Sequence, residues 1–163
     1  MNDSSNKGLS PEEDKTLISL LSRVRMPVSY NLFLAIMGAF PSCPVELAVF
    51  NQFGKILMIH RQDKEFTGYH SPGTVLRNDD TVPKALERLI SSELNGSKIS
   101  QPVCLGWHET LKGIGWGQNT SRHEISLLHA CILKGTYLGE GKFFDPDDLP
   151  ETTIPHHKVL VPE

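Results

Sequence analysis

Glu93 is the residue of this 163-residue chain whose type and placement most invite chemistry. It lies in the stretch Gly68–Gly96, GYHSPGTVLRNDDTVPKALERLISSELNG, which reads as a loop bending at Pro72-Gly73, a short extended piece and a helix. Thr81 is a plausible N-cap with Asp79 and Asp80 ahead of it, Pro83 sits in the first turn, and Asn95-Gly96 supply a left-handed stop. The predicted helix runs over Val82–Leu94. At about 100° per residue, Val82, Ala85, Leu86, Leu89, Ile90 and Leu94 share one broad apolar face, with Glu93 near its middle. A carboxylate there must find a cation, a hydrogen-bond donor or an opening to water. Two readings follow: Glu93 pairs with an arginine such as Arg88, or it ligates a metal at the edge of a cleft.

The elements that must position it carry a further pattern. Tyr69-His70-Ser71-Pro72-Gly73, followed by Asp80, Arg88, Glu93 and Asn95 at their spacing, resembles the Nudix hydrolases. Their signature is G-x5-E-x7-R-E-U-x-E-E-x-G-U, U being apolar, and aligning its first Gly on Thr74 needs no gap. Leu89 and Ser92 replace two of its acidic residues, so the box is degenerate. Glu87-Arg88-Leu89 followed by Glu93-Leu94-Asn95 is similar to the helix of the GDP-mannose mannosyl hydrolase type.

That resemblance implies a fold and a site. The fold is of α/β (α+β) type, a mixed β-sheet sandwiched between helices. It implies Mg2+, with Mn2+ as a substitute, held by Glu93, the Gly73 carbonyl and Glu140. Glu140, Arg88 and His123 are the implied catalytic residues, with Glu140 standing where the subgroup has a metal-binding Gln and a general-base His. Glu46 and Arg61 are the implied substrate contacts, and Trp116, in a Gly-rich loop where its ring can stack on a base, is read as a third from its own chemistry. Each has a plainer alternative: Glu46 and Arg61 as solvated strand residues, His123 as an ordinary hydrogen-bonding residue, Trp116 as a pin for its Gly-rich loop.

Composition bounds the rest. With 39% hydrophobic and 21% charged residues, the chain suits one soluble domain that needs no disulfides. A net charge of −3 without a Lys/Arg cluster disfavours nucleic acid as a partner. Three cysteines, an odd number without paired spacing, and a polar start lacking a signal pattern suggest the cytoplasm. The apolar run Val28–Val49 is broken by Ser29, Asn31, Pro41, Ser42, Pro44 and Glu46, so no membrane span is expected.

In chain order, residues 1–9 read as a disordered tail, 10–42 as an N-terminal helical extension and 43–163 as the Nudix-like domain. Ser10-Pro11-Glu12-Glu13 is a capping box opening a helix to about Val24. A second helix, about Tyr30–Phe40, is apolar nearly all round and needs the main domain, a second subunit or both to cover it. Val45–Phe50 and Lys55–Arg61 read as a hairpin about Asn51-Gln52-Phe53-Gly54. Pro102–His108, His123–Leu133 and Lys142–Phe144 read as strands, His123–Leu133 as a central one. Neither His108-Glu109 nor His123-Glu124 has a second His at zinc-motif spacing. The function these readings favour is hydrolysis of a nucleoside-diphosphate-linked small molecule, an NDP-sugar first, with a homodimer as a hypothesis. The alternative is a catalytically silent domain of the same fold that binds a nucleotide or regulates a partner.

Overall fold

The computed structural model describes residues 8–63, 66–111 and 123–158, and Trp116 lies outside them, as do seven of the nine residues read as a disordered tail. The chain divides into two compact units, Met1–Leu34 and Ala35–Glu163. That division falls inside a helix, upstream of the boundary at residues 42 and 43 read from the sequence.

In the first unit, helix α1 (Pro11–Leu21) starts as its capping box requires. Ser10 Oγ accepts the Glu13 amide at 3.3 Å, and Glu13 returns a carboxylate to the Ser10 amide at 2.8 Å. The helix ends three residues short of Val24. Helix α2 (Tyr30–Ala39) follows. Neither helix contains a fully buried residue.

The second unit is built on strands β1 (Pro44–Phe50), β2 (Ile56–Gln62), β3 (Thr67–His70), β4 (Gly73–Val75), β5 (Val103–Thr110), β6 (Glu124–Ile132) and β7 (Lys142–Phe144). Helix α3 (Val82–Glu93) lies between β4 and β5, and a short α4 (Pro155–Lys158) follows β7. The sheet is mixed, as expected: its order is β3-β2-β1-β6-β5, with β4 added on β1 and β7 on β2. β6 is central, parallel to β1 from Val45↔Leu127 to Phe50↔Ile132 and antiparallel to β5.

The β1–β2 hairpin forms where Asn51 Oδ1 accepts the Phe53 and Lys55 amides at 2.9 and 3.0 Å. The two strands share only the pair Phe50↔Ile56 before they part. β1 then pairs β4, while β2 pairs β7 and afterwards β3. This parting brings the Pro72-Gly73 bend alongside β1, in the register Glu46↔Gly73.

Alternation on β1 turns Val45, Leu47 and Val49 to α3, where they pack with Leu57, Ala85, Leu86, Leu89, Leu94 and Cys131. Each fully buried aliphatic side chain contributes roughly 1.5–3 kcal/mol. α3 is therefore a rigid platform for whatever its C-terminal end carries. Its start is capped as read, with Thr81 Oγ1 accepting the Lys84 amide at 3.4 Å. Its end turns left-handed at Asn95 (φ 49°) and Gly96 (φ 69°). Among the described residues, no helix is long and apolar enough to cross a membrane.

Candidate active site

The last turn of α3 puts Glu93 against the Pro72-Gly73 bend, where its Oε2 accepts the Gly73 amide at 3.1 Å. Burial pushes its carboxyl up to about 7, against the smaller opposing effects of that amide and of the Arg61 charge. The pairing with Arg88 is not formed. Arg88 instead binds Asp80 Oδ2 at 2.5 Å, the Val75 carbonyl at 3.2 Å and the Thr74 hydroxyl. The guanidinium thus ties the β4–α3 connection to the helix, and it holds the Asp80 carboxyl below its ordinary value.

Glu46 departs from the sequence reading of an outward, solvated strand residue. Its side chain is only 12% exposed, because β4 pairs beside it and α4 brings in His157. Ser71 Oγ donates to Glu46 Oε2 at 3.3 Å and lies 2.7 Å from His157 Nδ1. A Cβ on Gly73 would lie 2.5 and 2.7 Å from the two Glu46 carboxylate oxygens, so the carboxylate keeps this place only while residue 73 is glycine. Burial pushes Glu46 up to about 8, helped by the negative charges of Glu124 and Glu93 and opposed by Ser71.

A cleft of about 540 Å³ opens beside Glu93, lined by Arg61, His60 and Ile59 of β2, His70 of β3, Ser92, Glu93 and Asn95 of the α3 end, and the loop from Tyr137 to Glu140. Three residues distant in sequence, Arg61, Glu93 and Glu140, thus face one space. Arg61 is aimed by an ion pair with Asp63 and by the Phe66 ring 5.2 Å away. His70 was read only as part of the bend. Its Nδ1 is 2.7 Å from the Ser71 carbonyl, which can only accept, so Nδ1 carries the proton and Nε2 keeps a lone pair. Burial holds His70 below its ordinary value, and its ring is neutral at pH 7.

Two of the residues read as catalytic stand elsewhere. Arg88 is engaged in the loop as described, and His123 pairs with Glu109 at 2.8 Å on an exposed part of the β5–β6 ladder. Neither lines the cleft. Among the described residues, no three His, Cys, Asp or Glu side chains converge as a ready-made metal site. Glu93 and Glu140 nonetheless line one cleft, while the buried Glu46 carboxylate lies beside Gly73 and does not line it. All-oxygen donors of this kind suit a hard divalent cation that takes its remaining ligands from water and substrate.

No family model matches the sequence, and no curated protein matches it. Solved structures do. The MutT Nudix hydrolase from Burkholderia pseudomallei superposes with a TM-score of 0.58 at 20% identity, over 75% of this chain and 96% of that one. The MutT protein from Methanosarcina mazei Go1 gives 0.58 at 13% identity, over 74% and 91%. The Nudix domain of Shewanella oneidensis NrtR, solved with ADP-ribose, gives 0.55 at 14% identity, over 82% and 95%. The chain has the Nudix fold. At these identities the likeness speaks for architecture.

Proposed function

We propose that this protein is a Nudix-type hydrolase of a nucleoside-diphosphate-linked small molecule, an NDP-sugar by preference, using Mg2+ and water. The observation that carries the reading is the convergence of Glu93, Arg61 and Glu140 on one cleft, with Glu93 seated on the Pro72-Gly73 bend. The ADP-ribose bound by the NrtR domain, a diphosphate joining a nucleoside to a sugar, agrees with it in ligand class. Glu93, the Gly73 carbonyl and Glu140 would hold Mg2+, or Mn2+ in its place, and the bound ion would supply neutralisation of the diphosphate.

This chain's own residues do the rest. Arg61 meets a phosphate oxygen from the β2 side, held in place by Asp63 and Phe66. His70 offers a neutral ring nitrogen in the cleft as proton acceptor for an attacking water. Arg88 acts on the site through the loop it ties down. Glu46 shapes the bend from beneath, at the position first read as a nucleotide contact. The test is a panel of NDP-sugars with and without Mg2+, scoring sugar and phosphate release, repeated with Glu93→Gln. Release that needs both Mg2+ and Glu93 is the expected result.

The second reading, a catalytically silent nucleotide-binding domain, draws on the lack of a converged three-ligand cluster among the described residues. It predicts no release from any panel member, with thermal shifts by nucleotide that Glu93→Gln leaves unchanged. All three cysteines are free, which supports a reducing, cytoplasmic setting. A second copy of the chain is the proposed partner of the exposed apolar residues Leu17, Leu20 and Leu32. Light scattering that returns a monomer mass rejects it.

A further inference from the structure

The loop Tyr137–Gly141 carries Glu140, and its first side chain anchors it: the Tyr137 ring packs on the core and edge-on to Phe143, 5.9 Å between centroids. Leu138 is 57% exposed, so apolar burial contributes little there. Its backbone, in contrast, is gripped from both sides. Asn95 Nδ2 donates to the Leu138 carbonyl at 3.0 Å, and the buried Ser97 Oγ accepts the Leu138 amide, also at 3.0 Å. Two side chains from the exit of α3 thereby do for one loop residue what a neighbouring strand does for a ladder residue. The Tyr137 hydroxyl adds a bond to the Glu93 carbonyl at 3.4 Å and accepts the Gly141 amide at 3.2 Å, which folds the loop about that hydroxyl. Gly139 has no room for a Cβ because Tyr137 Oη occupies it.

Asn95 is the informative member. Its backbone is left-handed, and glycine would hold that conformation with less strain. What asparagine adds is the amide that reaches Leu138, 43 residues on. Glu93, two residues before Asn95, gives its carbonyl to the Tyr137 hydroxyl and seats its carboxylate on Gly73.

We propose that Asn95, with Ser97, is a positioning residue: it latches the Tyr137–Gly141 loop to the end of α3 and so sets Glu140 against Glu93 across the cleft. The structural part stands alone, while its effect on metal affinity rests on the function proposed above. The experiment compares wild type with Asn95→Gly, which keeps the left-handed turn and deletes the amide. A second variant, Asn95→Asp, keeps the shape and sets a carboxylate against the Leu138 carbonyl. Amide hydrogen exchange across 137–141 reads the latch directly, and both variants are expected to exchange there about 3- to 10-fold faster, the worth of one hydrogen bond. Unchanged exchange in both overturns the inference whatever the activity.

Mn2+ binding in the presence of ADP-ribose reads the positioning. Asn95→Gly is expected to weaken it about 3- to 10-fold in the wild-type background and not at all in Glu140→Gln, because the latch acts through Glu140. Equal losses in both backgrounds mean a general structural role and overturn the positioning claim. A wild-type protein that binds no Mn2+ refutes the metal reading, and the exchange measurement then decides the latch by itself.

Discussion

Arg88 and Glu93 sit on the same helix, one and a half turns apart, and the structure treats them in opposite ways. Arg88 has its charge matched: Asp80, the Val75 carbonyl and the Thr74 hydroxyl surround the guanidinium. Glu93 receives one backbone amide and faces an open cleft, with its carboxyl held up to about 7. A charge that is satisfied at home has little left to give a ligand, and it serves the loop. A carboxylate desolvated without a matched cation lies above its ordinary state until something positive arrives. The difference marks the middle of α3, which binds the β4–α3 connection, as scaffold and its last turn as site.

The sharpest way to break that comparison is Glu93→Gln. If Glu93 is the residue that works, the change removes the charge while keeping the bulk, and hydrolysis of the responsive NDP-sugar falls by about 100-fold or more. The loss shows in kcat/KM at saturating Mg2+, with the thermal midpoint at pH 7 unchanged or raised. Activity within a few-fold of wild type makes the last turn of α3 no different from its middle and removes the basis of the site.

Next in size is the pH dependence of stability. The folded-state values of Glu93, about 7, and Glu46, about 8, lie above the ordinary 4.5. Between those limits the folded chain holds protons that the unfolded chain has released, so its stability is fully present below about 4.5 and falls as pH rises towards 8. The loss is on the order of a few kcal/mol by pH 8. Glu46→Gln abolishes much of it, so this variant gains on wild type at pH 8 and not at pH 5. Because a cation favours the ionised carboxylates, Mg2+ raises the wild-type midpoint at pH 8 and leaves it unmoved at pH 5. Calorimetry at the two pH values checks both statements.

Gly73→Ala comes third. A methyl 2.5 Å from Glu46 Oε2 displaces that buried carboxylate from Ser71, at a cost of about 1–3 kcal/mol. The urea midpoint falls with its slope unchanged.

What sequence could and could not reveal follows the same line between local and distant causes. The capping box of α1, both ends of α3, the hairpin turn at Asn51 and the strand Lys142–Phe144 depend on residues within a few positions of one another, and each is found where read. Glu46 was misread because period-two alternation places it opposite Leu47 and Val49, a face that would be wet were it not for β4 and His157, which arrive from 27 and 111 positions further on. Arg88 likewise looked available to Glu93 by spacing, and only the path of the β4–α3 connection shows that Asp80 takes it. The grouping of Arg61 and Glu140 with Glu93 came from resemblance; the parting of β1 from β2 and the fold of the Tyr137 loop bring the three to one cleft. His70 and Asn95 left no signal beyond their places in the bend and the helix stop.

The smallest effect on turnover is expected at Arg88, and it sharpens the comparison most. Arg88→Lys keeps the charge but replaces a planar fork that meets Asp80, Val75 and Thr74 together with a single ammonium. The β4–α3 connection loosens and the thermal midpoint drops, while kcat/KM changes by less than about 10-fold, because no hydrogen bond made only in the transition state is lost. The split between the two readouts is what matters. A loss of kcat as large as that of Glu93→Gln, in a protein that melts like wild type, would mean that Arg88 leaves Asp80 during turnover to meet the diphosphate. The matched arginine would then be a reserve of charge for the site rather than its support.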